Sequence, residues 1–367
     1  MSEFKVDEWI VRVNDSVSFP KEAMVEVTMA CNLNCIYCFR RGTDETFGVM
    51  DEKHFQKLIE TAKKSEVRKI VFSGWGEPLT HSKILDFIGL AKSAGFNVIL
   101  NTNGVLLYNY AEDLVELGVD EIVVSIDATD VEVYGKLRIG GKVTEVIKGL
   151  QSLHEIQMKK HRLLKLGLEF TVTRLNYNQI PKVIELADRV KASYIRLSNI
   201  VPLHEDLEEI ACYNDDKCLK EMEKSYGVIG KLVLERNVNV YRINLTIKSQ
   251  RMCPFMVNNA LYVRWDGNVA PCIHYAHNHD IILFGIRRRL NKVIFGNIRD
   301  EELVNIWRNV KYATFRFRTK YGYVPSCLDC ELAPYCVFTL SNEMDCWGNS
   351  PTCAHCPFLY GLAACPL

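Results

Sequence analysis

Residues 23–42 read AMVEVTMACNLNCIYCFRRG, and this stretch sets the reading of the whole chain. Its first seven residues form a short β-branched run of strand character, and a cysteine loop follows at once. Cys31, Cys35 and Cys38 fall in C-x3-C-x2-C, with no fourth cysteine close behind. Three thiolates are one short of closing a four-ligand site, so metal held there keeps an open coordination position, where chemistry happens. The bare spacing also fits a zinc or redox thiol cluster.

Beyond this loop the chain alternates short apolar runs with helical patterns. HFQKLIETAKK (54–64) puts Phe55, Leu58, Ile59 and Ala62 on one helical face, and RKIVFSG (68–74) follows as a strand. The cycle repeats through helices at 83–94, 111–118, 144–157 and 180–190 and strands at 97–104, 121–127, 167–173 and 193–200. Six strand–helix units with near-continuous apolar strands predict an α/β fold with a parallel sheet. Six is fewer than the eight of a closed barrel, so an open, partial (β/α)6 TIM-like barrel is expected, with function at the C-terminal ends of its strands.

The expected organisation is an N-terminal extension (1–21), the barrel (22–215), a helix-and-strand bridge (216–252) and a cysteine-rich region (253–367). In the last, helical periodicity fades apart from DEELVNIWRN (300–309), and nine of the chain's 14 cysteines collect there. A region with so little regular core calls for metal ligation as its source of stability. Cys212 and Cys218 read as plain thiols, and Arg287-Arg288-Arg289 as a solvated loop or helix end.

Lys+Arg and Asp+Glu are equal at 45 each, which gives no field for nucleic acid or an anionic membrane. No apolar run approaches the roughly 18–20 residues of a membrane span, and the first residues lack the apolar stretch of a signal peptide. The expectation is a cytoplasmic protein whose cysteines bind metal rather than form bridges.

With its companion motifs, the cysteine loop resembles that of the radical S-adenosylmethionine (SAM) superfamily, over roughly residues 22–205. The resemblance implies that Cys31, Cys35 and Cys38 ligate three irons of a [4Fe–4S] cluster and that SAM's methionine binds the fourth. Reductive cleavage of SAM then yields a 5′-deoxyadenosyl radical. Tyr37 matches the aromatic near the adenine. Gly74-Trp75-Gly76-Glu77-Pro78 matches the family's Gly-Gly-Glu-Pro stretch that holds the methionine amino group, with Trp75 a departure from its commonest form. Asn101 and Asn103 in NTNG, Ser125 and Asp127 in SID, and Arg138 in YGKLRIGGK match positions that contact SAM in related enzymes. No residue is singled out as an acid or base.

Residues 253–367 resemble the SPASM domain of many radical SAM maturases. Cys253, thirteen residues, Gly267, four residues and Cys272 fit its opening, and Cys327, Cys330 and Cys336 fit its C-x2-C-x5-C. The next family cysteine is missing, Leu340 standing in its place, and Cys346, Cys353, Cys356 and Cys365 follow instead. The resemblance implies two auxiliary [4Fe–4S] clusters, leaving open which of the last four cysteines close them. A four-cysteine zinc ribbon, Cys327/Cys330 with Cys353/Cys356, is the competing reading. His274, His277 and His279 stay unassigned.

The tail pattern SNEMDCWGN-PTC-x2-C-x8-C-P, with FPKEAMVEVTMACNLNC at the front, resembles maturases associated with tungsten-containing oxidoreductases. That implies a role in maturing such an enzyme or its pterin cofactor, in an anaerobe, with a ferredoxin or flavodoxin as electron donor. A peptide-modifying radical SAM enzyme (thioether crosslinking, epimerisation or Cys/Ser oxidation) is the alternative, and only some 20 residues precede the barrel where many crosslinking enzymes carry a peptide-binding module. An Fe–S electron carrier is the non-enzymatic alternative.

Overall fold

The computed structural model describes residues 2–6, 8–13, 18–236 and 238–367. Positions 1, 7 and 14–17 of the expected extension lie outside the described residues. The rest of it pairs β1 (Ser2–Val6) antiparallel with β2 (Trp9–Val13).

The barrel strands are β3 (Glu22–Val25), β4 (Lys69–Phe72), β5 (Asn97–Thr102), β6 (Glu121–Ser125), β7 (Lys165–Val172) and β8 (Tyr194–Asn199), each parallel to the next. All six fall on the predicted runs, because an apolar run between two layers has only the strand as a way to bury both faces. The helices between them bury single faces. Glu52–Lys64 is N-capped by Asp51, whose carboxylate accepts from His54 N at 2.8 Å. Its Phe55 stacks on Phe87 of the helix Ile84–Ser93 at 4.2 Å between ring centroids.

The sheet extends past the six expected strands at both edges. After the helix Asp216–Arg236, β9 (Asn239–Tyr241) adds parallel to β8. On the other edge β10 (Ala260–Val263) pairs parallel with β3, and β11 (Asn268–Ala270) follows it antiparallel. Beyond these, β12 (His279–Leu283) and β13 (Ile286–Leu290) form a hairpin, and β14 (Gly296–Asn297) closes the ten-stranded sheet against β11. The cysteine-rich region is thereby hydrogen-bonded into the barrel wall rather than hung on a linker. Gly267 makes the β10–β11 turn at φ +81°, and a Cβ there would lie 2.9 Å from Asn297 Oδ1.

Three local expectations are corrected. Arg287–Arg289 lie in β13, and Arg288 is fully buried, donating from Nη1 to Leu283 O and Ile286 O at 2.9 Å each. The strand's alternation turns one of three arginines inward, where two backbone carbonyls receive its Nη1 while its buried Nε has no partner. Cys212 and Cys218 form a disulfide rather than two plain thiols, their Cα atoms 5.3 Å apart. A helix, Val310–Lys320, follows Leu303–Arg308 where helical periodicity was read as fading. Its buried face mixes Tyr312 and Phe315 with Arg316 and Thr319, so no clean apolar stripe marks it.

Candidate active site

At the C-terminal ends of the barrel strands lies a cavity of about 280 Å3. Cys31, Cys35 and Cys38 line it together with Tyr37, Gly74, Gly76, Glu77, Asn101, Asn103, Ser125 and Arg138, so four separate strand-end motifs converge on one space. Asp127 sits behind the wall, fully buried. Its carboxylate accepts from Arg138 Nε at 2.6 Å, from Thr171 N at 2.8 Å and from the Tyr37 hydroxyl, fixing three residues that do line the cavity.

The cysteine loop is held open by its backbone. Asn34 N donates to Ile139 O and Ile36 N to Leu137 O, which ties the loop to the segment carrying Arg138. Arg40, which sequence reading missed, donates to Met29 O at 3.0 Å and Leu33 O at 2.7 Å. Its signal was no more than a cation beside a metal loop. Asn103 Nδ2 reaches Asn32 Oδ1 at 2.8 Å and Cys31 Sγ at 3.6 Å. Burial lifts the Cys35 thiol to about 11 and raises Cys31 as well, and the neighbouring thiols add to both. Three crowded thiols of this kind release protons when metal replaces them.

Glu77 is 2% exposed and accepts three hydrogen bonds: Thr102 Oγ1 at 2.7 Å, Leu79 N at 3.0 Å and Asn103 N at 2.7 Å. A carboxylate has about four acceptor sites, so one is left for a ligand cation. Burial raises this carboxyl's pKa, and the three donors oppose the rise. Gly76 must be glycine, since a Cβ would stand 2.2 Å from Thr28 O and 2.5 Å from Ala30 O. Asn101 Oδ1 is buried without a hydrogen-bond partner, a second acceptor free for a ligand.

Trp75, the departure in the glycine-rich motif, has a structural answer. Its indole Nε1 donates to Ile273 O at 3.1 Å, and its ring packs on Phe39, His277 and His279 at centroid distances of 5.6, 4.6 and 5.0 Å. The side chain thus joins the barrel loop to the cysteine-rich region. Beside it His277 bridges two carboxylates, Nε2 to Glu26 at 2.9 Å and Nδ1 to Glu45 at 3.2 Å. Glu26 also accepts from Trp75 N at 3.1 Å and the Tyr262 hydroxyl at 2.8 Å. Burial alone would lower His277's pKa, but its two carboxylate partners outweigh it and hold the pKa above the ordinary value.

The nine remaining free cysteines sort into two groups by which thiols act on one another. Cys272 is raised by burial and then by Cys356, Cys253 and Cys353; Cys353 by Cys356 and Cys253; Cys356 by Cys253. All six pairs of Cys253, Cys272, Cys353 and Cys356 are thus in mutual range. Cys365 is raised first by burial, and the thiols that act on it most are Cys253 and Cys356. The second group is Cys327, Cys330, Cys336 and Cys346: burial and then the other three raise Cys327, and Cys346 feels Cys336 and Cys330. This sorting sets Cys327 and Cys330 apart from Cys353 and Cys356, although Cys327 N donates to Ala354 O, in the loop between the latter two, at 3.2 Å. Among the described residues no three His, Cys, Asp or Glu side chains gather tightly enough for a single metal ion. Eight thiols in two fours, with three more at an open cavity, fit iron–sulfur clusters by donor chemistry.

Glu169 on β7 also went unnoticed in the sequence, although a lone carboxylate in the apolar run GLEFTVT was a signal. It lines the cavity and an adjoining one of about 160 Å3, and pairs with Arg196 at 3.2 Å. Burial raises its pKa despite the arginine.

A strand-end cavity with three thiols, a buried acceptor carboxylate and a carboxylate-anchored arginine defines a SAM-dependent iron–sulfur enzyme. The radical SAM superfamily model matches residues 25–187, and the SPASM iron–sulfur cluster-binding domain model matches residues 253–331. The chain belongs to the radical SAM superfamily, with [4Fe–4S] clusters and SAM as its cofactors. It is 32% identical over 353 residues to the tungsten-containing aldehyde ferredoxin oxidoreductase cofactor-modifying protein of Pyrococcus furiosus, covering 95% of this chain and 97% of that one. It is 28% identical over 276 residues to a probable GTP 3′,8-cyclase of Methanocaldococcus jannaschii, 73% of this chain and 89% of that one. Its fold matches Streptococcus suis SuiB bound to S-adenosylmethionine, with a TM-score of 0.62 at 20% identity over 88% of this chain and 73% of SuiB.

Proposed function

We propose that this enzyme matures a tungsten–pterin oxidoreductase or its cofactor by radical chemistry. Near end-to-end similarity to the Pyrococcus furiosus cofactor-modifying protein carries this reading. When bound, the cluster and SAM supply a 5′-deoxyadenosyl radical that takes hydrogen from the substrate. Cys31, Cys35 and Cys38 would hold that cluster. Glu77, with one acceptor site free, would receive the methionine ammonium, and Arg138, oriented by Asp127, would receive the carboxylate. Tyr37, Gly74, Gly76, Asn101, Asn103 and Ser125 shape the rest of the SAM site.

The substrate occupies the adjoining cavity, which shares Tyr37, Phe39, Ser125 and Glu169 with the SAM cavity. Trp75, Phe39 and Ile273 keep water from the radical. Cys253, Cys272, Cys353 and Cys356 hold one auxiliary cluster and Cys327, Cys330, Cys336 and Cys346 the other, in a domain running from about residue 253. A ferredoxin or flavodoxin supplies electrons, and the enzyme works in the cytoplasm; among the described residues no helix is long and apolar enough to cross a membrane.

The test is SAM cleavage by the reduced, cluster-loaded protein, followed as 5′-deoxyadenosine. Turnover that rises with a pterin cofactor or its immature oxidoreductase, with mass change in that partner, supports the proposal. Stimulation by a peptide precursor instead would replace it with the peptide-modifying reading.

A further inference from the structure

The segment 361–366 runs inside the barrel. Gly361 O and Leu362 O accept from Asn244 Nδ2 at 2.6 Å and Asn199 Nδ2 at 2.8 Å. Ala364 N donates to Ser198 Oγ at 3.0 Å, and Cys365 O accepts from Arg196 Nη1 at 2.9 Å. Pro366 O then accepts from Asn101 Nδ2 at 2.9 Å. The segment thus crosses from β8 to β5, and its backbone groups are paired by polar side chains of both strands and by Asn244.

Its position divides the interior. Pro366 lines the SAM cavity, the adjoining 160 Å3 cavity and a lower one of about 460 Å3 that Cys365 also borders. Asn101 holds both Pro366 O and Ser73 Oγ (3.2 Å) with one amide nitrogen, which fixes how its free oxygen is presented. Arg196 holds Cys365 O while pairing with Glu169 of the cavity wall. The residue whose thiol lies beside the first auxiliary group is therefore bonded directly to the proline whose ring lines the SAM cavity wall.

Resting on the SAM-site reading above, we infer that residues 364–366 are the floor of the SAM cavity, and that Cys365, standing beside the Cys253/Cys272/Cys353/Cys356 tetrad rather than in it, ties that floor to the first auxiliary group. Among the described residues no hydrogen bond joins Cys327, Cys330, Cys336 or Cys346 to residues 364–366; Cys327 N instead donates to Ala354 O, in the loop between Cys353 and Cys356, at 3.2 Å. SAM affinity therefore depends on the tail and the first group, and not on the second.

The experiment titrates SAM into anaerobically loaded full-length protein, reading the change in the reduced SAM-cluster EPR signal, with iron content measured alongside. Wild type is compared with Cys365→Ala, Pro366→Gly and, as the outer control, Cys330→Ala. We expect iron unchanged in the first two variants and the SAM Kd raised about tenfold, while Cys330→Ala loses iron from its own group and keeps the wild-type Kd. Pro366→Gly carries the test alone should Cys365→Ala fail to fold. A wild-type Kd in the tail variants would overturn the inference, and so would loss of about four irons in Cys365→Ala, which would place that thiol among the ligands. Absence of any SAM response in wild type would instead remove the SAM-site reading.

Discussion

The two auxiliary thiol groups start from the same residue type and end in opposite surroundings. Around the first, Tyr275 and Tyr312 are fully buried, Thr319 Oγ1 donates to Cys353 Sγ at 3.5 Å, and Cys272 lies two residues past β11 of the barrel sheet. In the second, Cys330 and Cys346 are exposed, and so are Leu332, Tyr335, Val337 and Trp347 between and around them. Strands and buried side chains connect the first group to the SAM cavity, whereas the second runs from the buried Cys327 out to Cys330 and Cys346 on surface loops. Ligand chemistry alone does not decide what a thiol group does; the elements that hold it decide which part of the molecule it feels.

The largest expected effect separates the SAM cluster from both groups. Loaded wild type should carry about 12 irons, and the Cys31/Cys35/Cys38→Ala variant about 8, with no 5′-deoxyadenosine formed. Elemental analysis and a SAM-cleavage assay check this. Iron falling to near zero would mean that the auxiliary groups do not load independently, and would break the comparison at its root.

Trp75→Ala comes next, because Trp75 is the packed contact between the barrel loop and the first group's region. Removing a buried tryptophan costs about 3–5 kcal/mol, and the indole bond to Ile273 goes with it. Urea unfolding should give this loss, with iron in the second group untouched. A drop under about 1 kcal/mol would show that the sheet, not Trp75, holds the two regions together.

How much of this was legible follows the same division. The six barrel strands and the SAM motifs could be read because each is local: a short apolar run, then a few residues at its end. Trp75 could be seen as a departure but not understood, since its partners lie some 200 residues away at Ile273, His277 and His279. The same holds for His277, which reads as an exposed polar loop until the fold sets Glu26 and Glu45 on either side. The thiol groups interleave in sequence order, so spacing alone joined Cys327/Cys330 to Cys353/Cys356. The helix Val310–Lys320 was hidden by a buried arginine that lies over Trp307, 3.6 Å from its ring centroid.

His277→Gln is a smaller perturbation of the same clamp, since glutamine retains hydrogen bonding but not charge. The cost should be about 1.5–3 kcal/mol where the imidazolium is present. His277's folded pKa is raised, so its contribution is complete below the unfolded value of about 6.5 and fades as pH rises through the folded value. The gap between wild type and variant, measured by urea unfolding, should therefore be wider at pH 6 than at pH 9. A gap that widens with pH would mean His277 is neutral in the fold and that Glu26 and Glu45 are held apart by other groups.

The smallest stability effect belongs to the outer group, and it tests the comparison from the other side. Tyr335 is 88% exposed and Val337 73%, so neither has packing to lose. Tyr335→Ser should change unfolding stability by no more than about 0.5 kcal/mol. Asp329, Glu331 and Glu343 are exposed in the same stretch, whereas Asp345 is buried and accepts from Asn349 Nδ2 at 2.8 Å. Tyr335→Ser changes no charge, so the small gap between variant and wild type should not vary with ionic strength. A loss of several kcal/mol would place Tyr335 in a packed contact and would make the outer group as deeply built as the inner one.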